Sequence, residues 1–126
     1  LLLRKTLPDG GAALLTLLGE LSAELGDDEQ ARQVKTQLDA FAAFMRNRLL
    51  PNVTAKDTPA DRAHWLADDF LRAVALLLMA WAWARIGATP GTDAARWQTA
   101  QTGFWRWVWP EFGMRLAMME DSLART

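Results

Sequence analysis

The stretch Leu66 to Ile86, LADDFLRAVALLLMAWAWARI, constrains the fold more than any other part of the chain. From Ala73 to Ala84 it holds twelve consecutive apolar residues, bounded by Arg72 and Arg85. A helix that is apolar all round must be covered on nearly every side. The run therefore predicts the central helix of an all-α domain. As a helix it spans about 18 Å, short of the roughly 30 Å of a bilayer core, which predicts burial in protein and no membrane span.

On either side of this run, apolar residues recur at helical spacing. Leu14, Leu18, Leu21 and Leu25 follow at steps of 4, 3 and 4, predicting a helix from Gly11 to Leu25 with Gly26 as a left-handed stop. Asp27 with Gln30 three residues on has capping-box spacing, and opens a helix that runs to about Leu49. Its buried face is Ala31, Val34, Leu38, Phe41, Met45 and Leu49. Pro51 ends that helix and 52–57 reads as a polar loop. Thr58, Pro59 and Asp61 form a start signal, so the central helix is expected from Pro59 to about Ile86, roughly 42 Å, ending at Gly87. A loop over Thr89 to Thr92, with Thr92 and Asp93 as caps, leads to the last helix. There Ala94, Trp97, Phe104, Trp105, Val108, Phe112, Leu116, Met119 and Leu123 keep one face. Pro110 predicts a kink at Trp107 to Trp109, the alternative being a clean break into a further short helix. Four apolar-faced helices with short connections predict an up-down-up-down four-helix bundle with a proline kink in its last member.

The chemistry of the side chains is sparse. A chain of 126 residues fits one domain, and 14 basic against 15 acidic residues give no positive field for a nucleic-acid backbone. There is no cysteine and one histidine, which excludes disulfides and thiolate metal sites and leaves little for zinc. This composition suits a reducing cytoplasm. His64 has Asp68 at i+4 and reads as a solvated or capping residue. Asp68 and Asp69 diverge by about 100° on a helix, so they cannot flank one bond as a glycosidase pair does. Arg72 lies in range of both for a surface or interhelix ion pair. No catalytic, cofactor-binding or metal-ligating constellation is present.

Seven tryptophans are the exception. Trp81 and Trp83 point about 200° apart on a helix, as do Trp105 and Trp107, so one of each pair must be partly exposed or meet a partner. The run FWRWVW has one arginine, Arg106, too few for a membrane-surface helix, and a stacking platform for single strands needs a positive groove. Core packing plus a protein interface is the remaining use. The interface candidates are Met79, Trp81, Trp83, Trp105, Trp107 and Trp109. Met114, Met118 and Met119 read as fillers beside the indoles.

Three pieces carry a resemblance: LLLRKTLPDGG (Leu1 to Gly11), DFLRAVALLLMAWAW (Asp69 to Trp83) and FWRWVWPEF (Phe104 to Phe112). In this order and spacing the chain resembles the C-terminal helical domain of long bacterial acyl-CoA dehydrogenases, the group resembling 3-methylmercaptopropionyl-CoA dehydrogenase. The second piece is the most specific, through Asp69, Phe70, Leu71, Trp81 and Trp83. Ala75 and Ala80 stand where relatives carry glycines. The resemblance implies that 1–10 is the tail of an upstream dehydrogenase core and linker, and 11–126 a single auxiliary bundle. It also implies a parent that binds FAD, oxidises an acyl-CoA to a 2-enoyl-CoA and forms homo-oligomers. The family's catalytic glutamate lies before this chain begins, and Glu20, Glu24, Glu29, Glu111 and Glu120 match no motif glutamate. The alternative is a stand-alone helical module that binds an apolar ligand or dimerises.

Overall fold

The computed structural model describes residues 1–59, 61–89 and 94–125, and every regular element among them is helical. The elements are α1 (Ala12–Ala23), α2 (Glu29–Phe44), α3 (Leu50–Thr54), α4 (Arg62–Ala88), α5 (Ala94–Gly103) and α6 (Pro110–Ala124). The expected α2 face holds in full, with Ala31, Val34, Leu38, Phe41, Met45 and Leu49 all buried. On α4, Leu66, Phe70, Ala73, Val74, Leu76, Leu77, Ala80 and Ala84 face the same core.

Contacts between helices give their directions. Asp69 meets Arg115 and Arg72 meets Glu111, so α4 and α6 run antiparallel. The Trp81 indole N–H donates to the Leu21 carbonyl at 2.9 Å and Arg85 donates to the Glu24 carbonyl at 2.8 Å, so α1 and α4 run the same way. Phe41 of α2 stacks on Phe70 of α4 with centroids 5.9 Å apart, and touches Phe44 at 5.8 Å and Phe112 of α6 at 6.0 Å. One ring thus joins three helices at the centre of the core.

The prolines are accommodated by a device that periodicity does not reveal. Wide π turns cover Leu2–Thr6, Met45–Leu49 and Phe104–Val108, and each ends two residues before a proline: Pro8, Pro51 and Pro110. Proline lacks the N–H for the i−4 carbonyl and its ring clashes with that carbonyl. A π turn, bonded five residues back, widens the helix and relieves the clash. In the third turn the Trp109 N–H reaches the Phe104 carbonyl at 2.8 Å. Pro51 therefore does not end the second helix: the chain stays helical through Thr54, across part of the expected loop. At Pro110 the expected disturbance is this π turn, and helix resumes at Pro110 itself.

Several terminal signals work differently from expectation. Gly26 is not left-handed; the positive φ angles fall at Gly10 (67°) and Gly11 (82°), before α1. Asp9 caps α1 there, accepting from the Gly11 and Ala13 N–H groups at 3.0 and 2.9 Å. Asp28, not Asp27, is the N-cap of α2, accepting from the Ala31 N–H at 3.0 Å, which displaces Gln30 from any capping box. Thr58 does not cap α4; its hydroxyl donates to the Asn52 carbonyl at 3.2 Å, and α4 begins three residues later than expected and passes through Gly87. The expected caps Thr92 and Asp93 lie outside the described residues. The opening residues are also part of this core, since Leu2 is buried within the same cluster.

Gly11 is both left-handed and crowded: a Cβ there would lie 2.9 Å from Leu50 Cδ1. A left-handed backbone costs a non-glycine residue about 1–2 kcal/mol. Gly11→Ala is expected to lose at least that much stability, read as a lower urea midpoint at unchanged slope.

Candidate interface

The outer face of α4 leaves a run of apolar side chains uncovered. Leu71, Ala75, Leu78, Met79, Ala82 and Ile86 follow at steps of 4, 3, 1, 3 and 4, which keeps them on one side of a helix. Leu71, Leu78 and Met79 are exposed, Met79 by 42%, while Ala75, Ala82 and Ile86 are half-buried. The opposite side of α4 is the side covered by α2 and α6. On α6, Met114 and Met118 are exposed as well, whereas Met119 is wholly buried. Filling gaps beside indoles is thus the role of neither Met114 nor Met118.

By length and composition α4 could cross a membrane: its most apolar 18-residue window has a mean hydropathy of 1.5, and 39% of that window is buried. That window is longer than the twelve-residue run because α4 continues past it on both sides, through Arg72 and Arg85. Its packing against α1, α2 and α6 is that of a core helix with one bare side.

The tryptophans divide differently from the expected interface set. Trp81 and Trp83 do point apart, Trp81 to α1 and Trp83 to Trp97 and Phe104, each at 6.3 Å. Both are half-buried, as are Trp105 and Trp109. Trp109 stacks on Phe112 with centroids 4.8 Å apart and planes 4° from parallel, and meets Trp105 edge-on at 6.0 Å. Of the six candidates, only Met79 and Trp107 are exposed, Trp107 by 75% with Arg106 over its ring at 5.0 Å. Trp65, 73% exposed, was not among the expected set; its early position on α4 and its indole hydrogen bond to Asp61 at 3.2 Å make it a surface residue.

Charge is concentrated at the α4–α6 seam. Arg115 binds Asp69 at 2.9 Å, Asp68 at 3.4 Å and Glu111 at 3.2 Å, and Arg72 reaches Glu111 at 3.4 Å. The sequence-level pairing of Arg72 with both aspartates is therefore replaced by Arg115, which the folding of α6 alone brings into range. The hydrogen bond to Asp69 leads in holding the Arg115 guanidinium above its ordinary value; desolvation opposes it and Glu111 adds to it. A raised folded value means that this stabilisation is present below the ordinary arginine range and is lost only above it, so the charge persists at every working pH. Arg115→Met is expected to lower the melting temperature, by less in high salt than in low salt, because salt already screens the pairs. His64 is exposed, as a solvated residue would be, and Asp68 at i+4 pairs with Arg115.

Among the described residues, no group of three or more His, Cys, Asp or Glu side chains is placed to hold a metal. No family model, no curated protein and no solved structure matches this chain.

Proposed function

We propose that this chain is the C-terminal auxiliary domain of a flavin-dependent acyl-CoA dehydrogenase, an up-down-up-down four-helix bundle that docks on the dehydrogenase core or a neighbouring subunit. In this arrangement α1, α2 and α4 are three members and α5 with α6 forms the kinked fourth. The observation that carries the docking role is the bare side of α4, where Leu71, Leu78 and Met79 are exposed opposite the side buried in the core. The resemblance of the three sequence pieces supplies the identity of the parent. FAD, the acyl-CoA and the catalytic base belong to the parent, where the chemistry is α-proton removal and β-hydride transfer to flavin. The bundle contributes contact surface, and the parent is a cytoplasmic homo-oligomer.

The test has two parts. The residues encoded immediately before Leu1 should read as an acyl-CoA dehydrogenase core, and the 126-residue chain alone should show no flavin absorbance and no dehydrogenase activity. A DNA-binding helix-turn-helix upstream, or tight FAD binding by the chain alone, contradicts the proposal.

A further inference from the structure

A second feature lies away from the bare side of α4. Between α2 and the tryptophan segment runs a groove of about 420 Å³ lined by Gln30, Gln33, Val34, Gln37, Trp105 and Trp109. That volume falls within the roughly 300–1,000 Å³ of small-molecule sites, which combine apolar walls with a few convergent polar groups. Gln30, Gln33 and Gln37 stand at i, i+3 and i+7 on one side of α2, a row of carboxamides about 10 Å long. Gln30 also accepts from the Gln101 carboxamide at 3.2 Å, which fixes one end of the row. Trp105 and Trp109 line the facing wall.

We propose that this groove binds a short neutral saccharide. No charged side chain lines it, so an anionic or cationic ligand would lose hydration without a counter-charge. A carboxamide both donates and accepts, and a sugar hydroxyl does the same, so the two match along the row. A sugar ring also has a C–H face that packs on an indole ring, and Trp105 and Trp109 each present a ring to the groove. A nucleobase offers its donors and acceptors along one short edge and would engage only part of the glutamine row.

The experiment follows the indole N–H signals of the 126-residue chain by two-dimensional NMR, with Trp105 assigned through Trp105→Phe. The probes are maltose, cellobiose and N,N′-diacetylchitobiose, with adenosine as the contrasting neutral ring. At least one disaccharide should shift the Trp105 signal saturably. Gln33→Ala with Gln37→Ala should weaken that response at least tenfold while the rest of the spectrum stays that of the folded chain; both positions lie on the helix surface, where substitutions are mild. No saturable shift with any disaccharide, a response indifferent to the glutamine changes, or a response to adenosine alone overturns the proposal.

Discussion

Phe41→Ala is expected to destabilise the chain by about 3–5 kcal/mol, the largest effect of any single substitution considered for this core. Phe41 is wholly buried and its ring meets Phe70 of α4 and Phe112 of α6, so truncation opens a cavity where three helices converge. The rings around it are themselves held by neighbours and cannot collapse into the space: Phe112 is stacked on Trp109. Domains of this size have a total stability of about 5–15 kcal/mol, so the loss is a large part of the whole. The expected melting temperature falls by roughly 10–20 °C. Phe41→Leu, which keeps more of the volume, should recover much of the loss. Equal stability of the alanine and wild-type proteins in urea would show that this ring is not the hub of the fold.

Leu71→Asp combined with Leu78→Asp is expected to do the opposite: less to the isolated chain than to its docking. Both side chains are partly exposed, Leu71 by 47% and Leu78 by 37%, so each change should cost the folded chain about 1–2 kcal/mol and leave it folded. At an interface, each loses the burial of the part still exposed, worth about 0.5–1.5 kcal/mol, and leaves a carboxylate unpaired, which costs more. Together these weaken association more than a hundredfold. Calorimetric titration of the 126-residue chain into a parent truncated before Leu1 measures this directly, with circular dichroism confirming the unchanged fold. A variant that binds as tightly as the wild type would place the docking surface elsewhere.

The core was legible in sequence wherever burial follows one period. The α2 face is the clearest case, because its apolar residues sit between polar ones at regular steps, and burial alone decides their side. On α4 the same approach gives the helix but not its bare side: the run from Ala73 to Ala84 is apolar on every face, so periodicity cannot distinguish the part covered by α2 from the part left open. Composition likewise made the tryptophans the interface candidates, whereas four of them are half-buried against the core, Trp83, Trp105 and Trp109 among other aromatic rings and Trp81 on the Leu21 carbonyl.

Backbone adjustments and long-range pairs were not legible. A proline in a helical pattern signals a break, and the widened turns before Pro51 and Pro110 become visible only from the hydrogen bonds they make. Arg115 is one arginine among many until α6 folds against α4 and places it between Asp69 and Glu111. The groove beside α2 has the same origin, since Gln33 and Gln37 are ordinary surface residues of a helix until Trp105 and Trp109 arrive opposite them.

Methionine oxidation tests the docking of the bare α4 side most directly, because the five methionines sample both sides of the account. Met45 and Met119 are buried in the core and Met79, Met114 and Met118 are exposed on α4 and α6. In the 126-residue chain alone, brief peroxide treatment read by mass spectrometry should oxidise the exposed three and spare the buried two. In the intact parent protein, Met79, Met114 and Met118 should become protected as well. Oxidation of these three at the same rate in the parent and in the isolated chain would contradict the account.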